Sequence, residues 1–239
     1  MKIAVISDIH SNIGALEAVL EDIDKRRPDT VICAGDLVGY APFPNKVIEL
    51  LKKRRIPCVM GNYDDAIGNE RLVCGCDYKD AKAQELGECS IAWTRKNVTE
   101  EDKEFLRSLP EEIHFRVGKY YVKIVHGSPR RLNEYLCEDI ADEYLIELLA
   151  ESNSDVLVCG HTHIPYYKKL GDDKHVINAG SVGKPKHGDP QAVYALLEID
   201  RKVRVNFHKV RYDYESAARA IEAAGLPKEF AASLGTGRD

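Results

Sequence analysis

Five apolar runs that each end in a small cluster of Asp, Asn, His and Gly restrict the fold of this chain more than any other feature. The runs at 2–7, 30–34, 56–60, 120–125 and 155–159 read as strands. They lead into Asp8-Ile9-His10, Gly35-Asp36, Gly61-Asn62-Tyr63-Asp64, Val125-His126-Gly127 and Gly160-His161-Thr162-His163. Residues 2–7 are apolar almost throughout, as a strand covered on both faces must be. The next segment sets Ile13, Leu16, Leu20 and Ile23 along one helical stripe, which makes a β–α unit. Strand–helix alternation over the first sixty residues predicts a sheet with helices packed on its faces. Ligands of such sheets bind beyond the carboxyl ends of the strands, so five polar clusters at equivalent positions are expected to meet in space.

The rest of the chain extends this α/β pattern. A helix is expected at 44–54, where Pro44 suits the first turn and the cations of Lys52-Lys53-Arg54-Arg55 complement the last. From about 65 to 112 strand-like runs vanish and charged helical stretches appear near 78–92 and 100–108, the second opened by Thr99 as an N-cap. This reads as a helical cap insert, with Trp93 and Tyr78 as its small core. Strands return at 113–117 and 120–125, and a helix near 139–151 precedes the run 155–159. Strands near 165–170, 174–178, 191–199 and 203–210, separated by turn residues, read as antiparallel. A tail from 213 to 239 reads as two short helices parted at Gly225-Leu226-Pro227, with a frayed end from Gly235. A length of 239 residues fits one domain with an insert.

Composition removes several classes. A net charge of −5 argues against a protein that grips duplex nucleic acid through a broad basic surface. No apolar run approaches membrane-spanning length. The first seven residues are interrupted by Asp8 too soon to act as a secretory signal, so a cytoplasmic location is expected. Of seven cysteines, Cys33 and Cys159 close apolar runs and read as small core residues. Cys74-Gly75-Cys76 is a C-x-C pair without a second pair at zinc-finger spacing, and no structural zinc is expected there.

Taken singly, each polar cluster has an ordinary reading as a turn or helix cap. Taken together they supply two Asp, one Asn and four His, oxygen and imidazole donors suited to Mn²⁺, Fe²⁺, Co²⁺, Ni²⁺ or Zn²⁺. Seven such donors with one bridging carboxylate can hold two ions. A two-metal centre clamps the oxygens of an in-line displacement and activates water near neutral pH.

In the order D-x-H, GD, GN-x-D, H-G and GH-x-H, over roughly residues 1–210, the chain resembles the calcineurin-like metallophosphoesterase superfamily, in its compact bacterial and archaeal branch. The resemblance implies a two-sheet β-sandwich flanked by helices. It also implies that Asp8, His10, Asp36 and His163 hold one metal and Asp36, Asn62, His126 and His161 the other, with Asp36 bridging. Catalytic candidates are Asn62, Tyr63 and His126. Many members carry His after the GN dipeptide, where this chain has Tyr63. A tyrosine there is a weaker acid near neutrality; stacking on a substrate ring and packing against the insert are its other readings. Ser11, Asn12, Tyr63 and Ser128 are candidate substrate contacts, although capping and turn duty explains the first two and the last equally well. His114, His175, His187 and His208 are assigned no role.

The expected activity is hydrolysis of a phosphodiester or phosphoanhydride by a metal-bound hydroxide, with two divalent ions, manganese first. The expected partner is a small phosphate compound, and a nucleotide such as a dinucleoside polyphosphate is the first candidate. The competing reading is a catalytically weak metal- or nucleotide-binding scaffold or sensor, for which Tyr63 is the main support. An amidohydrolase, suggested by His161-Thr162-His163, would be expected to carry H-x-H near the first strand, where this chain has D-x-H.

Overall fold

A computed structural model describes residues 1–238. Two sheets stack face to face with helices on both outer faces. The first has the order β2 (Thr30–Cys33), β1 (Lys2–Ile6), β8 (Ala192–Ile199), β9 (Val203–Val210). The second has the order β3 (Glu112–Val117), β4 (Tyr120–Val125), β5 (Val156–Cys159), β7 (Lys174–Asn178), β6 (Tyr166–Leu170). Strands β1 and β2 run parallel, as do β4, β5 and β7. The expectation that the later strands are antiparallel holds for β6 on β7 and β8 on β9, and fails for β7, which pairs parallel to β5.

Side-chain alternation explains why β1 is apolar on both faces. Ile3 and Val5 enter the core between the sheets with Val122, Ile124, Val156 and Val158. Ala4 and Ile6 point the other way, under α1 (Ile13–Arg26) and α2 (Pro44–Arg54). The outer face of the second sheet is closed by α6 (Asp142–Glu151), whose Leu145, Leu148 and Leu149 sit on Leu157, Cys159 and Val176. Burial of each such side chain contributes about 1.5–3 kcal/mol, and this holds the strand ends in place.

The expected strand at 56–60 is reduced to one bridge, Cys33 to Cys58. Pro57 has no N–H to give a ladder, and the Met60 N–H turns away to the Pro110 carbonyl at 2.7 Å. Three helices follow: α3 (Asn62–Gly68), α4 (Ala81–Asn97) and α5 (Glu100–Arg107). Helix α3 is additional to the two helical stretches expected near 78–92 and 100–108. Helix α4 starts at Ala81 rather than 78 because Asp80 caps it, accepting from the Ala83 N–H at 2.8 Å. Trp93 does not serve a core private to this segment. Its Nε1 donates to the Ala224 carbonyl, joining α4 to α7 (Tyr214–Ala223) and α8 (Lys228–Thr236). The chain end is not frayed as far as it is described, since the Gly188 N–H donates to the Gly237 carbonyl at 2.8 Å. Asp239 lies outside the described residues. No helix among the described residues is long and apolar enough to cross a membrane.

Candidate metal centre

Every strand that ends in a polar cluster delivers it to one place. Asp8 and His10 follow β1, Asp36 follows β2, His126 follows β4, and His161 and His163 follow β5. Asn62 opens α3. Five of these seven residues, Asp8, His10, Asp36, His161 and His163, hold φ between 47° and 65°. That left-handed backbone costs an L-residue roughly 1–2 kcal/mol, a strain that clusters at functional sites. The loops are also pressed together. A Cβ on Gly61 would overlap Asp36, and one on Gly160 would overlap Ser7 and Asp8, so both glycines are required by close approach.

Two groups of donors result. Asp8, His10 and His163 form one, and Asp36, His126 and His161 the other, each with its donor atoms within 4.8 Å of one another. His163 Nε2 lies 3.3 Å from Asp8 Oδ1 and 3.3 Å from His10 Nε2. In the second group His126 Nε2 lies 2.9 Å from Asn62 Oδ1 and 3.2 Å from His161 Nδ1. Asp36 Oδ2 stands between them, 3.6 Å from His10 Nε2 and 3.4 Å from His126 Nε2.

The imidazoles are oriented for lone-pair donation. His10 Nδ1 lies 3.0 Å from the Val38 carbonyl, His126 Nδ1 2.9 Å from that of Ala34, and His163 Nδ1 2.6 Å from that of Lys184. His161 is held the other way round, with Nε2 3.2 Å from the Asn133 carbonyl. A carbonyl can only accept, so each of these nitrogens carries the proton and the opposite one faces the centre, as in metal-bound histidines. Asp8 Oδ1 is buried with no hydrogen-bond partner among the described residues. A buried carboxylate oxygen without a partner is costly, and a cation there would satisfy it. The donor set therefore fits divalent ions.

Electrostatics agree. Burial holds Asp8 well above the ordinary carboxylate range. Burial also pushes on Asp36, but the charge and hydrogen bond of His126, followed by the charge of His10, outweigh it and draw Asp36 down. Burial would lower His126, yet Asp36 and then Asp8 raise it to about 10. Burial lowers His10 to about 4, and burial with the His126 charge lowers His161 to about 3. The two carboxylates facing His126 thus favour its protonated form.

The remaining sequence candidates are placed differently. Tyr63 is 1% exposed, with its ring beside Tyr40 at 4.9 Å, edge-on to His10 at 5.4 Å and against Gly39. Its hydroxyl lies toward Tyr40 and Tyr78 without a well-formed hydrogen bond. Asn12 is fully engaged. It caps α1 at the Ala15 N–H and donates to the Gly183 carbonyl and Tyr212. Ser128 Oγ accepts from the N–H groups of Arg130 and Arg131 and bonds Glu134, closing a turn. Ser11 Oγ is buried with no partner among the described residues. His114 is exposed and paired with Glu112, and His175 bonds Tyr167.

Residues without an expected role hold the loops. Asp64 accepts from the N–H groups of Asp36, Leu37 and Gly61, all at 2.9 Å. Its signal was present as an acidic residue three positions after the helix-capping Gly61. Asn178 donates to the Gly160 carbonyl at 2.6 Å, and Ser181 Oγ donates to the Asp8 carbonyl at 2.8 Å.

Comparison with known proteins now adds to this geometry. Residues 1–202 match the calcineurin-like phosphoesterase superfamily domain. The chain belongs to that superfamily. It is similar to an uncharacterized protein of Methanocaldococcus jannaschii, 34% identical over an alignment of 253 positions that covers 99% of this chain and 98% of the relative. It is also similar to phosphodiesterase YfcE of Escherichia coli, 28% identical over 203 residues, 84% of this chain and 89% of the relative. A metallophosphoesterase from Sphaerobacter thermophilus superposes with a TM-score of 0.79 at 31% identity, covering 99% of both chains. A hypothetical protein from Pyrococcus horikoshii shares the fold, with a TM-score of 0.85 at 24% identity over 99% and 98% of the two chains. This calcineurin-like chain thus has the two-sheet architecture of a metal-dependent family with phosphodiesterase relatives, and two candidate metal-binding triads.

Proposed function

We propose that the chain hydrolyses a small phosphodiester or phosphoanhydride, using two divalent cations. Asp8, His10, Asp36 and His163 would hold one, and Asp36, Asn62, His126 and His161 the other. The supporting observation is that four histidines, each with one nitrogen fixed by a backbone carbonyl, turn the other toward two carboxylates. When bound, the cations supply Lewis acidity and an activated water. The protein's own contribution is to fix seven donors in a buried, preorganised arrangement that needs no rearrangement during reaction. Manganese is the first metal to test, with iron, cobalt, nickel and zinc compatible with the donors. The segment α3 to α5, which begins at Asn62 itself, would cap the centre and favour compact substrates, a small nucleotide such as a dinucleoside polyphosphate first.

The test is release of nitrophenol from bis(p-nitrophenyl) phosphate with each metal, then phosphate release across a metabolite set. Turnover with manganese that is lost in His126→Ala supports the enzyme. Absence of turnover with every metal supports the scaffold reading instead.

Cation uptake should release protons. With its pKa raised to about 10, His126 is protonated at pH 7.5 in the ion-free protein and must lose that proton to bind a metal. Manganese affinity is therefore expected to fall as pH drops from 8 to 6, with about one proton released per chain at pH 8 and more toward pH 6, where Asp8, raised to about 7 by burial, must also ionise. Calorimetry in buffers of different ionisation enthalpy measures this; buffer-independent heats would contradict it.

Burial of Tyr63 favours packing over acid catalysis or ring stacking. Tyr63→Phe removes a buried hydroxyl that has no well-formed hydrogen bond, so turnover should stay within about threefold and stability should hold or rise by about 1 kcal/mol. A loss of a hundredfold confined to poor leaving groups would restore the acid role.

A further inference from the structure

Between α3 and α4 the tripeptide Cys74-Gly75-Cys76 folds back on itself. Its two Sγ atoms lie 2.7 Å apart, about 0.7 Å beyond a disulfide bond length of about 2.05 Å. Gly75 makes the reversal with φ +73°, a backbone state that glycine adopts without penalty. Cys74 is buried, Cys76 half-buried and Gly75 exposed, so a small oxidant reaches the pair from solvent.

The same tripeptide touches the candidate centre at two points. Asn62 Nδ2 donates to the Cys74 carbonyl and to Cys76 Sγ, each at 3.2 Å. That turns Asn62 Oδ1 toward His126 Nε2. The Gly75 carbonyl accepts from Asn133 Nδ2 at 2.5 Å, and the Asn133 carbonyl holds His161. Two donors of the second cation group are therefore steadied by one short loop carrying a dithiol.

We propose that Cys74 and Cys76 are a reversible redox site, a dithiol that a hydroperoxide closes to a disulfide within the loop, loosening Asn62 as it closes. One thiolate attacks the peroxide and the O–O bond breaks, giving a sulfenic acid and an alcohol or water. The second thiol then displaces hydroxide to form the S–S bond. In sum the two thiols lose two electrons and two protons, and the hydroperoxide is reduced to the alcohol and water. Closure takes the thiol acceptor at Cys76 away from Asn62, which is a positioning effect. The disulfide stands independently of the proposed function, and the consequence at Asn62 rests on it.

The experiment uses the full chain with Cys89→Ser and Cys137→Ser, which remove the exposed thiols elsewhere. The protein is treated with hydrogen peroxide under chelator, alkylated, digested and weighed. The peptide with Cys74 and Cys76 should lose the mass of two hydrogens and escape alkylation, and dithiothreitol should restore two reactive thiols. In Cys76→Ser, Cys74 should stop at a sulfenic acid that dimedone traps. Alkylation of both thiols after peroxide, or passage of Cys74 to sulfinic acid without a disulfide, would overturn the redox site. Equilibrium dialysis should show the oxidised protein binding its second manganese at least about tenfold more weakly. A disulfide that leaves manganese binding unchanged would overturn the link to Asn62. A reduced protein that binds no manganese would count against the proposed function while leaving the mass readout intact.

Discussion

Replacing Asp36 by asparagine is expected to lower kcat at least about a thousandfold and to reduce manganese binding from two ions per chain to one or fewer. Asp36 Oδ2 is within 3.6 Å of His10 and 3.4 Å of His126, so its carboxylate faces a histidine of each group and is placed for the proposed bridging role. Metal Lewis acidity is worth several kcal/mol of transition-state stabilisation, and about 4 kcal/mol corresponds to a thousandfold in rate. Asparagine is the informative substitution because Asp36 Oδ1 accepts from the Tyr63 N–H at 2.9 Å. The amide can keep that bond while presenting NH₂, which cannot ligate, to the cations. The loop should survive, and circular dichroism with dialysis separates loss of metal from loss of fold. Activity within tenfold of the parent at saturating manganese would remove Asp36 from the bridging position.

The candidate ligands are legible in the sequence because short-range physics marks them. Val5 and Ile6 before Asp8, and Val158 and Cys159 before His161, are strands buried on both faces, and the polar residue just past such a strand has few places to go. Where the fold depended on a partner far away in the chain, the sequence was silent. The run at 56–60 has strand composition, yet Pro57 and the Pro110 carbonyl reduce it to a bridge. The apolar pattern of β8 does not say that it crosses back to pair with β1. Asn133 carries no motif at all, and only the packed loop brings its carbonyl to His161. Tyr63 shows the same limit, since its position after Asn62 suggests chemistry while Gly39 and Tyr40 enclose it.

The largest effect on stability is expected at Asp64, whose carboxylate touches no cation donor directly. It is fully buried and accepts three backbone N–H groups at 2.9 Å, those of Asp36, Leu37 and Gly61, tying the loop after β2 to the start of α3. Asp64→Ala leaves all three N–H groups buried without partners, each costing about 1–3 kcal/mol. Relaxation and entering water limit the sum, and a net loss of about 3–5 kcal/mol is expected. At roughly 2–4 °C per kcal/mol for a domain of this size, the ion-free Tm should fall by roughly 6–20 °C. Asp64→Asn keeps one oxygen, which already serves Asp36 and Gly61, but sets NH₂ against the Leu37 N–H, so it should lose about half as much. The two variants should respond to metal in the same direction. On the proposed reading manganese would bind only the ordered loops and draw the population back toward them, so excess metal should recover part of the lost Tm in both. An alanine variant that melts within 3 °C of the parent would mean that the two loops hold each other without this carboxylate. The convergence of Asp36 and Asn62 would then have to come from the close contact of Gly61 with Asp36 and from the Tyr63 N–H donating to Asp36 Oδ1.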